Sequence, residues 1–136
     1  MSAATDVKDD RRYTKDHEWA IEKATGTGPE ITVGITAFAV DQLGDITLVN
    51  LDVKAGDTVT AGKAFGTIES VKTLSDLFAP VSGKVVRVNS ALEEKPELVN
   101  DDCWGEGWMI VIAPSAPASD LMDAAAYAAF VKESAH

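Results

Sequence analysis

The sequence predicts a mostly-β domain of short strands, a small flattened barrel or sandwich, with a short internal helix and one helix at its C-terminal end. Three observations carry this prediction. Short apolar runs are separated throughout by turns bearing glycine, proline or asparagine, the punctuation of strands. Two of these runs are faint copies of each other, Gly44-Asp45-Ile46-Thr47-Leu48-Val49-Asn50 and Gly83-Lys84-Val85-Val86-Arg87-Val88-Asn89, and each is followed by a glycine-bearing turn and a second apolar run, residues 64–68 and 108–112. The one stretch with sustained helical spacing comes near the end, around Ala124-Ala125-Ala126-Tyr127.

The elements follow in order. Residues 1–11 are polar and expected to be a flexible segment ahead of a single domain over residues 12–136. Residues 12–21 carry spaced aromatics and lead into a strand, Gly26-Thr27-Gly28-Pro29 is a turn, and residues 30–35 alternate at the period of a strand. Thr36 is placed to cap a short helix over 37–43, with Gly44 as its stop. Strands are expected over 46–51, 58–60, 64–70, 84–89 and 108–112, with turns at Lys54-Ala55-Gly56-Asp57, Ala61-Gly62-Lys63 and Pro80-Val81-Ser82-Gly83. Residues 90–106 read as loop with one helical turn near 93–96. Pro114-Ser115-Ala116-Pro117 reads as a linker, and Ser119 or Asp123 as the cap of a helix over about 119–133. That helix would pack Leu121, Ala124, Tyr127 and Val131 on the sheet, a structural role.

Composition narrows the function classes. A chain of 136 residues supports one domain with its own core. No apolar run approaches the roughly 18 residues of a membrane span. The formal net charge of -10 argues against nucleic acid and anionic membranes, and favours partners with basic docking surfaces. The opening residues lack an apolar leader core and are too acidic for a transit peptide, so the cytoplasm is expected, or the mitochondrial matrix for a trimmed organellar protein. Cys103 is the only cysteine, and it sits between Asp102 and Trp104, which would raise its pKa and dull it as a nucleophile. His17 and the C-terminal His136 are the only histidines, and two so far apart make no metal set. The glycines follow no nucleotide-binding spacing.

What remains is Lys72, in Gly66-Thr67-Ile68-Glu69-Ser70-Val71-Lys72-Thr73-Leu74-Ser75-Asp76-Leu77. It is one of nine lysines, and its position singles it out. A hairpin between two related β units lies at a junction on one edge of the domain, where a single long-stemmed amine can be held away from the surface. Val71-Lys72 lacks the Asn-Gly chemistry of tight hairpins, so local rules place the bend either there or at Ser75-Asp76.

From about Tyr13 to Phe130 the chain resembles the glycine cleavage H-protein family of lipoyl carriers. Tyr13-Thr14-x-x-His17-Glu18-Trp19 and Val33-Gly34-Ile35-Thr36 resemble that family's opening motifs, and Glu69-Ser70-Val71-Lys72 its lipoylation motif. Ala79-Pro80-Val81-Ser82-Gly83, Leu98-Val99-Asn100 and Gly107-Trp108-Met109 follow in the same order. The resemblance implies a barrel-sandwich hybrid with Lys72 at a hairpin tip carrying lipoate in amide linkage, in a monomer that is not itself an enzyme. The implied partners are a pyridoxal-phosphate-dependent glycine decarboxylase, a tetrahydrofolate-dependent aminomethyltransferase, dihydrolipoyl dehydrogenase and the enzymes that attach lipoate. Glu69 would be read by the attaching enzymes. Glu18 is either a polar contact for the loaded arm or a solvated strand carboxylate. Two alternatives share the fold. A biotinyl domain would flank its lysine with methionines, where this chain has Val71 and Thr73. A relay protein would pass lipoyl groups to other enzymes.

Overall fold

The computed structural model describes residues 7–115 and 121–134. Its elements in chain order are β1 (Arg12–Tyr13), β2 (Glu18–Thr25), β3 (Gly28–Ile35), α1 (Ala37–Leu43), β4 (Ile46–Leu51), β5 (Thr58–Val59), β6 (Ala64–Ser70), β7 (Leu74–Phe78), β8 (Gly83–Val88), α2 (Ala91–Glu94), α3 (Glu97–Asp101), β9 (Ile110–Pro114) and α4 (Ala124–Ser134). They form two antiparallel sheets. One has six strands in the order β1-β2-β3-β9-β8-β5, the other three in the order β4-β6-β7.

The expected internal repeat has a structural counterpart. The strand of each copy pairs antiparallel with the apolar run that follows it, β4 with β6 and β8 with β9. Each copy is also bulged at the same place in its pattern, between Ile46 and Leu48 in the first and between Val85 and Arg87 in the second. An extra residue there reverses the alternation of the strand. Ile46 and Val85 consequently face the core, at 5% and 2% exposure, while Leu48 and Arg87 turn outward.

The main core lies among the strands, with Ile31, Val33, Phe65, Ile68, Leu77, Val85, Ile110 and Ile112 all buried. Each such side chain contributes about 1.5–3 kcal/mol of transfer free energy, so the core dominates stability. A second cluster joins Tyr13, Trp19 and Phe38 to Tyr127 and Val131 of α4. Tyr127 stacks on Tyr13 at 4.5 Å between ring centroids, which is how the alanine-rich helix is held. Trp19 lies over Gly34, where a Cβ would come within 2.4 Å of the indole, and its Nε1–H donates to the Cys103 carbonyl at 2.9 Å.

Helix α1 has the ends its sequence predicts. Thr36 Oγ1 accepts from the Ala39 amide, and Gly44 stops the helix at φ 80°. Three expectations change. Residues 90–106 hold two short helices instead of one turn, because Leu92 and Val99 are fully buried and fix each turn on the core. The last strand begins at Ile110 instead of 108, since the Met109 amide goes to Val33 O off the regular ladder, and it runs on through Pro114. Helix α4 starts at Ala124, capped by Asp123 Oδ1 on the Ala126 amide. Met122 cannot be helical because it exchanges both backbone hydrogen bonds with Tyr13. Ser119, the linker residues Ala116-Pro117, and His136 lie outside the described residues. Ahead of β1, the Tyr13 hydroxyl donates to Lys8 O at 2.6 Å and Arg11 Nη1 donates to Trp104 O at 2.9 Å.

Candidate functional site

Strands β6 and β7 form the central hairpin, with Glu69 opposite Leu74 as the last pair and Val71-Lys72-Thr73 as the loop. Ser75 and Asp76 lie inside β7, so the bend falls at the lysine. The loop needs no glycine because Ser70 organises it. The Ser70 Oγ accepts from the amides of Lys72 and Thr73, both at 3.2 Å, and the Ser70 amide donates to Thr73 O at 2.8 Å. The tip is also docked sideways, because the Val71 amide donates to Asp45 O at 3.0 Å. That acceptor segment is fixed in turn by Asn100 of α3, whose Nδ2 donates to Gly44 O at 3.0 Å while its Oδ1 accepts from the Ile46 amide at 2.8 Å. The stem of Lys72 lies over Gly44, and the side chain is exposed. Among the described residues no ion pair involves it.

Beside the hairpin is a cleft of about 300 Å³ between α1 and β7, with Ile35, Phe38, Leu43, Ile68 and Leu77 as apolar walls. Lys72 itself does not line it; Leu43, in its wall, precedes the Gly44 that the Lys72 stem overlies, and Ser75 and Asp76 of the hairpin line it too. Glu18 lies in it at 2% exposure. One oxygen accepts from Thr14 Oγ1 at 2.7 Å and the other from the Phe78 amide at 3.2 Å. Burial nevertheless dominates and pushes the carboxyl up to about 8, the two hydrogen bonds only partly opposing it. A solvated strand carboxylate is therefore excluded. The hydrogen bonds suit the anion and the surroundings favour the acid, so a cation entering the cleft would decide between them.

His17 lines the same cleft at φ 67°, with Nδ1 at 2.8 Å from the Tyr127 hydroxyl, which also contacts Thr36 Oγ1 at 2.7 Å. Burial lowers its pKa. Cys103 is buried, and its thiol is pushed up to about 11, by burial first and by Asp102 second. Glu69 and Asp76 are exposed on the hairpin strands. Among the described residues no three of His, Cys, Asp and Glu converge as a metal would require. A larger cleft of about 370 Å³ lies by β1, β2 and the start of α4, lined by Asp9, Arg11, Arg12, Glu22 and Asp123. It includes no hairpin residue, and it mixes charges of both signs, of which Arg11 pairs with Asp10 at 2.8 Å.

Sequence reasoning singles out Lys72, Glu69 and Glu18 but misses the residues that hold the hairpin, Ser70, Gly44 and Asn100. A serine two places before the loop lysine is a readable turn signal. The Asn100 contacts span 54 and 56 residues of sequence and carry no local signal.

An exposed lysine at the tip of a docked hairpin, in a domain of two antiparallel sheets, is the arrangement of a small carrier domain. The family model for the glycine cleavage H-protein matches residues 11–134. The chain is 52% identical over 130 residues to the glycine cleavage system H protein of Anaeromyxobacter sp. (strain K), covering 94% of this chain and 98% of that one. It is 47% identical over 133 residues to that of Myxococcus xanthus, covering 96% and 99%. The crystal structure of a glycine cleavage system H protein from Mycobacterium marinum matches with a TM-score of 0.81 at 42% identity, over 90% of this chain and 97% of that chain. The chain belongs to the glycine cleavage H-protein family. It is a carrier component of the glycine cleavage system and not itself a catalyst, with the lipoyl-domain-like fold expected.

Proposed function

We propose that Lys72 is the site at which this carrier bears lipoate, and that the chain moves the aminomethyl group of glycine between the enzymes of the system. The observation that carries the reading is the presentation of Lys72, exposed on a loop whose amides donate to the Ser70 hydroxyl and the Asp45 carbonyl. Held in amide linkage on Lys72, a lipoyl group would supply a reducible disulfide as the carrier's chemistry, with a pyridoxal-phosphate-dependent glycine decarboxylase, a tetrahydrofolate-dependent aminomethyltransferase and dihydrolipoyl dehydrogenase as the partner enzymes.

The protein's own residues supply position and charge. The docked loop fixes the root of the arm, and tethering holds its end at roughly millimolar effective concentration for a docked enzyme. The cleft beside Lys72 offers apolar walls and Glu18 as its buried acceptor. An ammonium group entering there favours the ionised carboxylate, so Glu18 releases its proton as the amine docks. Loaded cargo is thereby shielded on the carrier's own surface. We place this work in the cytoplasm, or in the matrix for a trimmed organellar chain, with the carrier acting as a monomer. No helix of the described residues is long and apolar enough to cross a membrane.

The test is Lys72→Arg, which keeps charge and fold. Intact mass and peptide mapping should show lipoyl on Lys72 of the wild type and on no residue of the variant, with carrier activity abolished. Lipoyl recovered on Lys63 or Lys84 would overturn the reading.

A further inference from the structure

The three large apolar side chains most open to solvent among the described residues are Leu48 at 46%, Val71 at 67% and Leu74 at 61% exposure. Val71 adjoins Lys72 in the loop, Leu74 lies two residues beyond it, and Leu48 lies on the neighbouring strand opposite Glu69. In the three-stranded sheet Leu48 pairs with Glu69 and Glu69 with Leu74, so the outer face carries the row Leu48-Glu69-Leu74, about 10 Å across at the usual strand spacing. Val71 stands at the tip beside the lysine. The bulge in β4 turns Leu48 outward, yet the fold does not require a leucine there. The equivalent bulge of the second copy carries Arg87, whose side chain is 56% exposed. An apolar row around one carboxylate, on the face leading to Lys72, is a surface suited to being covered.

We propose that Leu48, Val71 and Leu74, centred on Glu69, form the docking face for the enzyme that acylates Lys72, and that this enzyme meets them with an apolar surface around a cationic side chain. The inference rests on the reading of Lys72 as lipoylated. In the attachment step the uncharged Lys72 Nζ attacks the carbonyl carbon of a lipoyl adenylate. An N–C bond forms, the C–O bond to phosphate breaks, adenylate leaves with the electron pair, and the amine's proton passes to solvent. Nζ stands only a side chain's length from the loop, so the enzyme doing this must lie against the hairpin itself and cover the row. Enzymes that use the finished arm work a whole arm's length further out and need not touch it.

The experiment follows acylation of purified unmodified chain by an ATP-dependent lipoate-attaching ligase, read as mass gain on the Lys72 peptide. Leu48→Ser with Leu74→Ser should lower kcat/KM for the chain at least about 10-fold, mainly through KM, with the defect persisting at high salt because apolar contact is unscreened. Leu48→Arg, a residue the equivalent bulge already tolerates, should do the same with an unchanged circular dichroism spectrum and unfolding midpoint. Wild-type acylation rates for both variants would overturn the docking face and leave the carrier reading intact. Normal acylation with slowed loading by the decarboxylase would also overturn it, assigning the row to enzymes that use the arm. Failure of the wild type to gain mass at Lys72 would instead sink the carrier reading.

Discussion

Lys72 lies across Gly44: a Cβ added to residue 44 would stand 3.4 Å from Lys72 Cε and 3.7 Å from Cδ, an ordinary van der Waals contact. Space is therefore not what demands glycine. The backbone does, at φ 80° and ψ -148°, a region side chains other than glycine avoid. Gly44→Ala should cost about 1–3 kcal/mol in urea unfolding while leaving room for the lysine stem. Loss of Lys72 acylation without loss of stability would show that the contact, and not the backbone, is what matters.

Asn100 predicts a more local effect. Its side chain bonds both Gly44 O and the Ile46 amide, on either side of the Asp45 carbonyl that receives the Val71 amide. Asn100→Ala should destabilise by about 1–3 kcal/mol, because two backbone groups lose their partners. Hydrogen exchange should quicken at Val71 and Ile46 beyond what the global loss explains. Uniform acceleration across the domain would count against a clamp.

Glu18 makes stability depend on pH. Its carboxyl titrates near 8 in the fold against 4.5 for the ordinary side chain, so between those values the native state holds a proton that the unfolded state has lost. The stabilisation is complete below about 4.5 and is lost as pH rises through 8, on the order of a few kcal/mol in all. Glu18→Gln, neutral throughout, should lack this slope. Its altered hydrogen bonds add an offset independent of pH. Parallel stability curves for variant and wild type from pH 5 to 9 would refute the assignment.

Exposed Glu69 and Asp76 bear on encounter rates through their electrostatic field, which attracts a basic partner without contact between it and the hairpin. The decarboxylase KM for the lipoylated chain should rise with ionic strength, and Glu69→Gln with Asp76→Asn should flatten that dependence while turnover at saturation changes little. Equal salt dependence in both proteins would place the electrostatic docking elsewhere.

Much of the fold is legible in the sequence because local chemistry and tertiary demand agree. The Thr36 hydroxyl and the positive φ of Gly44 bound α1, and residues 64–70 form a strand with the limits expected. The repeat of Gly44-x-Ile46 in Gly83-x-Val85 correctly anticipates two matching strand pairs. Where reading fails, distant partners decide. Leu92 and Val99 become helical because the core receives them, and Met122 is extended because Tyr13 takes its backbone. Lys72 and Glu69 stand out in sequence, but the burial of Glu18 does not, since its partners Thr14 and Phe78 meet only after folding.

The placement of Cys103 has a consequence for redox selectivity. Thiol–disulfide exchange proceeds through the thiolate, and a buried thiol titrating near 11 is ionised to only about one part in 10⁴ at neutral pH. A carrier whose cargo chemistry runs on a dithiol and its disulfide would be poisoned by a reactive sulfur of its own, through a mixed disulfide with its arm or with a second carrier. Here the chain's one sulfhydryl sits beneath the surface, its backbone carbonyl taken by Trp19. With lipoate on Lys72 as proposed, the chain's own sulfur would stay chemically silent toward the sulfur chemistry of its arm.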